Sequence, residues 1–186
     1  YICRQVTFKT SIMDFEQLIN ARQSDRKYDT QPIDRALLVR CLEAARIAPS
    51  ACNSQPWKFV VVDDPKLLAG MKEAAAGMGM NKWVTDVPVI VAVVLEKMNL
   101  TARIGSVIKD KEYSLLDVGI AVEHFCLQAT ELGLGTCIIG WFDEKKVKKL
   151  LDIPKRRVPL LISVGYPVSE HRKKVRKPLE EMSSWN

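Results

Sequence analysis

Between Ser114 and Leu132 the chain carries Leu115, Leu116, Val118, Ile120, Ala121, Val122, Phe125, Cys126, Leu127 and Ala129. Wound at 3.6 residues per turn, these side chains cover most of a helix circumference. A helix with so little polar face is either central in its domain or sits in a subunit interface. Gly133 and Gly135 end it, as glycine does after a last helical turn. The rest of the chain must supply the surfaces on which such a helix packs.

Those surfaces can be read from local chemistry. Asp14 ahead of Phe15, Leu18 and Ile19 predicts a short capped helix, and Asp34 caps a second with Leu37, Leu38, Cys41, Leu42 and Ala45 on one stripe, closed by Pro49. Lys58–Val62 follows Pro56 and reads as a buried strand. Asp64 and Pro65 start a helix that runs to Ala76 and breaks at Gly77 and Gly79. Val89–Leu95 is a second strand, and residues 96–112 read as polar and irregular. Thr136–Ile139 is a short strand, Asp143 caps a helix to Leu151, and Val158–Tyr166 is a last strand before a basic tail, 167–186. Gly133, Gly135 and Gly140 do not form GxGxxG and follow a helix, so a doubly wound nucleotide fold is not indicated. The pattern predicts α+β, a mixed sheet flanked by helices, as one domain over 1–186 with residues 1–12 a flexible or artificial start.

Composition removes several function classes. Five scattered cysteines with no CxxC read as free thiols in a reducing, cytoplasmic setting, and only two histidines leave no histidine-rich metal site. The longest uncharged apolar run, Val87–Leu95, is too short to cross a bilayer, so no membrane partner is expected. The net charge of +6 is concentrated at Lys155–Arg157 and Arg172–Lys177. Such runs can bind nucleic acid, but more often they are solvated faces. No histidine stands near Ser50 or Cys52 in sequence, so no nucleophilic triad is expected.

Two segments point to chemistry. In an extended ArgGlnSerAspArg, Arg22, Ser24 and Arg26 alternate onto one side, while Gln23 and Asp25 take the other. Two guanidiniums and a hydroxyl suit a terminal phosphate, although the string taken alone better describes a solvated basic loop between helices. In AlaProSerAlaCysAsnSerGlnProTrp, 48–57, two prolines stiffen the backbone and Ser50 and Ala51 leave room for a flat ring. Asn53 and Gln55 each offer a donor and an acceptor, and would otherwise bond their own backbone.

Taken together, the two segments resemble the signatures of the nitroreductase family of FMN-dependent oxidoreductases, over most of the chain. The resemblance implies a largely antiparallel sheet flanked by helices in an intertwined homodimer, with helix 114–132 as the seam. It implies that Arg22, Gln23, Ser24 and Arg26, with Lys174 and Arg176 of the tail, hold the FMN phosphate. Pro49, Ser50, Ala51, Asn53 and Gln55 would line the flavin from the opposite subunit. Ile139, Gly140 and Trp141 would pass beside the ring, where a plain strand end is the competing reading, and Asn81 would reach its edge. Families of this kind usually carry a neutral or apolar residue where Asp25 stands. No side chain is assigned as catalytic; hydride from NADH or NADPH would pass through the flavin to a nitroaromatic, quinone or activated alkene in ping-pong order. A flavin binder with other chemistry (dehalogenation, flavin destruction) or none is the alternative. A nucleic-acid-binding protein comes after both.

Overall fold

The computed structural model describes residues 13–186, so the start expected over 1–12, with Cys3, lies outside the described residues. Its elements run α1 (Phe15–Ala21), β1 (Tyr28–Asp29), α2 (Arg35–Arg46), β2 (Trp57–Val62), α3 (Pro65–Ala75), β3 (Val89–Leu95), α4 (Leu100–Lys109), α5 (Tyr113–Glu131), β4 (Gly135–Ile139), α6 (Glu144–Leu150), β5 (Leu160–Pro167) and α7 (Leu179–Met182).

The helix starts follow the acids that announce them. Asp14 and Gln17 form a reciprocal capping box on α1, and Asp34, Asp64 and Asp143 each accept backbone N–H bonds at the starts of α2, α3 and α6. Helix α2 ends at Arg46, three residues before Pro49.

Strand β5 is the hub of the sheet. It pairs β3 on one side, and β4 with the short β1 on the other; β2 pairs the far side of β3. All these ladders are antiparallel, and a parallel bridge between Ser24 and Thr136 makes the sheet mixed, as expected. Strand β3 is covered on both faces. Val89, Val91 and Val93 face α2 and α5, while Ile90, Ala92 and Val94 face α3 and α6, the period-2 split that gives a three-layer stack. Phe125 of α5 stacks on Phe59 with ring centres 5.8 Å apart.

The structure corrects two expectations. Strand β2 is half-buried rather than buried, because among the described residues it pairs only with β3 and lies at the sheet edge. The stretch 96–112 is not irregular: Asn99 caps α4 by accepting from Ala102 N–H. Leu100, Ile104, Val107 and Ile108 are exposed, so their helical spacing has no core contact to announce it. Helix α5 is central on one face, burying Val118, Ala121, Val122, Phe125, Cys126 and Ala129. Its Leu116 and Ile120 stay exposed, as do Val39 of α2, Ile47 just after it, and Phe15 and Ile19 of α1. No described helix is long and apolar enough to cross a membrane.

Candidate functional site

The segment leaving α1 runs extended past the start of β4. Asp25 N–H donates to Thr136 O at 2.9 Å, and Tyr28 O–H donates to Asp25 O at 2.6 Å. This fixes the alternation: Asp25 is buried, while Arg22, Ser24 and Arg26 line a hollow of about 370 Å³. Gln23 departs from the alternation. It lines the same hollow and reaches three ways, with Nε2–H donating to Asp25 Oδ1 (2.9 Å) and to Glu170 O (3.3 Å), and Oε1 accepting from Arg172 N–H (3.1 Å).

The other wall of the hollow is the tail. Arg172, Lys173, Lys174 and Arg176 all line it. Lys174 donates to Arg22 O, Arg172 to Ser24 O, and His171 Nε2 meets Asn20 O. Arg22 also pairs with Glu123 of α5 at 3.3 Å. Lys174 and Arg176 therefore share one hollow with Arg22, Ser24 and Arg26, and Arg172 and Lys173 join them. Burial, followed by the charges of Arg22 and Arg176, lowers the Lys174 ammonium below its usual range. Cations crowded in this way are stabilised by an anion set among them. The donor set of two arginines, a serine hydroxyl and the tail cations fits a phosphate.

Below the hollow, Asp25 is pushed up by burial, against the hydrogen bond from Gln23 and the charges of Arg172, Arg22 and His171. Gly135 makes room for it: a Cβ there would come within 2.7 Å of the Asp25 carboxylate.

The second segment is built from conformation instead of charge. Cys52, Asn53 and Gln55 all have φ between 46° and 52°, left-handed backbone that non-glycine residues rarely adopt. Gln55 N–H donates to Ser50 Oγ (2.9 Å), and Gln55 Nε2–H to Asn53 O and Oδ1 (3.1 and 3.0 Å). Two residues that the sequence reading missed hold the turn. Asp117, buried in α5, accepts from Ala51 N–H at 3.1 and 3.2 Å. Asn99 donates to Cys52 O at 2.8 Å and takes Ser54 Oγ at its own N–H. An asparagine just before an apolar-periodic run was a signal for Asn99; a lone acid in an apolar helix gave none for Asp117. Trp57 packs on the core.

None of residues 49–55 lines the basic hollow of the same chain. The third patch does connect to it. Strand β4 begins beside Ser24 and ends at Ile139, which is buried; Gly140 follows, with nothing within 4 Å of a Cβ built on it. Asn81 Nδ2–H donates to Ala75 O and Trp141 O, so this amide ties its loop to the strand end and keeps only Oδ1 free to face outward. The buried thiols are poor nucleophiles, since burial pushes Cys41 up to about 12 and Cys126 up to about 11 and also raises Cys137.

Comparison with known proteins agrees with the fold. The profile of the nitroreductase family matches residues 19–166. The chain is 31% identical to an oxygen-insensitive NADPH nitroreductase of Helicobacter pylori, over 91% of this chain and 95% of that protein. It is 28% identical to an NADH dehydrogenase of Thermus thermophilus, over 94% and 97%. Among solved structures it resembles a nitroreductase family protein of Clostridium novyi (TM-score 0.70, 33% identity, 83% and 86% covered). It also resembles an FMN-dependent nitroreductase of Clostridium difficile (TM-score 0.73, 26% identity, 91% and 97% covered). With a profile spanning most of its length and relatives matched nearly end to end, the chain belongs to the nitroreductase family.

Proposed function

We propose that this protein is an FMN-dependent oxidoreductase that moves hydride from NADH or NADPH to an electron-poor acceptor, a nitroaromatic, quinone or activated alkene. Bound FMN would supply the two-electron hydride chemistry that links donor and acceptor in ping-pong order. The chain's part is placement and charge. Arg22, Ser24, Arg26, Lys174 and Arg176 hold the phosphate, with Gln23 joining the tail to the cradle. Strand β4 leads from Thr136 to Gly140, four residues or roughly 13 Å of extended chain. That span suits a ribityl phosphate with its ring beside Ile139, Gly140 and Trp141.

The 49–55 turn lies outside the cradle of its own chain, so its Pro49, Ser50, Ala51, Asn53 and Gln55 serve the flavin of a partner subunit. The exposed apolar side chains of α1, α2 and α5 supply the seam of that homodimer. Exposed α4, pinned to the turn through Asn99, covers the site and sets acceptor choice. The four described cysteines are all free, in keeping with a cytoplasmic setting.

The observation that carries this reading is that the tail cations converge on Arg22–Arg26 from almost 150 residues away in the sequence. The test is Arg22→Ala with Arg26→Ala. Each charged hydrogen bond lost removes about 1.5–3 kcal/mol, so FMN affinity, measured by titrating the apoprotein and following flavin fluorescence, falls at least about a hundredfold with far-UV circular dichroism unchanged. Wild-type affinity in that variant sinks the assignment.

A further inference from the structure

A second hollow lies apart from the phosphate cradle. It is a cavity of about 450 Å³ beside the strand end, bounded by Glu73, Met78, Gly140, Trp141 and Lys146. It shares Gly140 and Trp141 with the patch proposed to flank the flavin, and so continues outward from the reacting ring.

Three features make it a built site. Trp141 is 59% exposed, yet it is held at both ends: Nε1–H donates to Gly77 O at 3.2 Å, and its carbonyl accepts from Asn81. Its edge lies so close to Gly77 (φ +49°) that a Cβ there would be 2.8 Å away. Next to it, Met78 is 93% exposed and sits at φ +54°. A bulky apolar residue there is strained backbone of the kind that collects at ligand sites. At the rim, Glu73 and Lys146 form an ion pair, from α3 and α6 respectively. A fixed, half-open indole takes a flat base, a carboxylate takes a vicinal diol, and an ammonium takes a phosphate oxygen.

The donor in the proposed reaction has those parts in the reverse order beyond its nicotinamide: pyrophosphate, ribose diol and adenine. We infer that this cavity receives the adenosine end of NADH, with adenine on Trp141 and the ribose diol on Glu73, and that Glu73 disfavours the 2′-phosphate of NADPH. This rests on the flavin reading above and goes beyond it by naming the donor.

The test uses the FMN-loaded protein. KM for NADPH exceeds KM for NADH by about tenfold or more, the scale of one charged hydrogen bond replaced by like-charge contact. Glu73→Gln brings the ratio towards one, raising KM for NADH and lowering it for NADPH. ADP, as probe for the adenosine end, inhibits competitively against NADH, and Trp141→Ala weakens that inhibition about tenfold. Equal KM values for the two donors in the wild type, or an unchanged ratio in Glu73→Gln, overturns the inference. Bleaching of bound flavin by reduced nicotinamide mononucleotide, which lacks the adenosine end, tests the underlying reading separately. A protein that bleaches with it and yet fails the Glu73 test loses only the donor assignment. A protein that holds no flavin loses both.

Discussion

The cradle at 22–26 and the turn at 49–55 are assigned to the same ligand, and they are made in opposite ways. The cradle is charge: cations from two distant segments, joined by donor bonds from Lys174, Arg172 and Gln23 to backbone of the other segment, gathered around one hollow. The turn is shape: neutral side chains on three left-handed residues, bolted from behind by a buried Asp117 and by Asn99. A charged cradle gains its energy when an anion arrives and has little to hold it together before then. A preorganised turn is stabilised whether or not a ligand is present. Loss of the first should therefore be read in affinity, and loss of the second in stability.

The largest effect separates them on the cradle side. Lys174→Ala with Arg176→Ala removes two cations that face the phosphate. FMN affinity falls by roughly a hundredfold at low salt, from two charged contacts worth about 1.5 kcal/mol or more each. Exposed charges are screened within about 10 Å at 0.1 M salt, so the gap from wild type narrows as salt is raised. The melting temperature without ligand stays near that of wild type, because the missing charges repelled Arg22 and each other. A fall in melting temperature as large as the loss of affinity implies would show the cradle to be structural, and the distinction would fail.

The opposite pattern is expected at Asp117. Asp117→Ala leaves Ala51 N–H without its acceptor and releases the turn from α5. An orphaned, part-buried donor costs about 1–3 kcal/mol, a drop of roughly 2–12 °C for a chain of this size. Calorimetry across a salt series reads this loss as constant. Loss of FMN affinity with no change in melting temperature would place Asp117 at the ligand and not behind the turn.

The same division explains what the sequence disclosed. The caps at Asp14, Asp34, Asp64 and Asp143 were legible because each joins a side chain to an N–H two or three residues away. Strand β3 was legible because burial on both faces leaves an unbroken apolar run. Helix α4 was missed because its apolar side chains face outward, and the edge position of β2 was missed because strand order is a long-range property. In the site, spacing alone placed Arg22, Ser24 and Arg26 on one wall. The family resemblance put Lys174 and Arg176 on that wall, but the bonds that dock the tail were hidden, because Lys174 and Arg172 donate to backbone carbonyls, which look alike in every sequence. Gln23 was put on the wrong side of the alternation for the same reason: its partners, Glu170 and Arg172, arrive from the tail.

The smallest effect concerns Asp25, the one buried charge under a site made to receive another. Burial raises its carboxyl, outweighing the Gln23 hydrogen bond and the nearby Arg172, Arg22 and His171. The sign follows from the direction. A carboxyl raised in the folded protein favours its protonated form, so below the ordinary carboxylate range (near pH 4) there is no penalty. As pH climbs through the raised value, ionisation within the fold destabilises it. Asp25→Asn keeps an oxygen to accept from Gln23 Nε2 and lacks that ionisation. Its melting temperature therefore matches wild type in acid and exceeds it by a few degrees at neutral pH, a scale of about 2–4 °C per kcal/mol. FMN binding at neutral pH also tightens, because one negative charge beneath the phosphate has gone. If the variant instead melts below wild type at neutral pH, the buried carboxylate is the counter-ion that keeps Arg22 and Arg172 in place without ligand. The cradle would then be preorganised like the turn, and the contrast between the two regions would vanish.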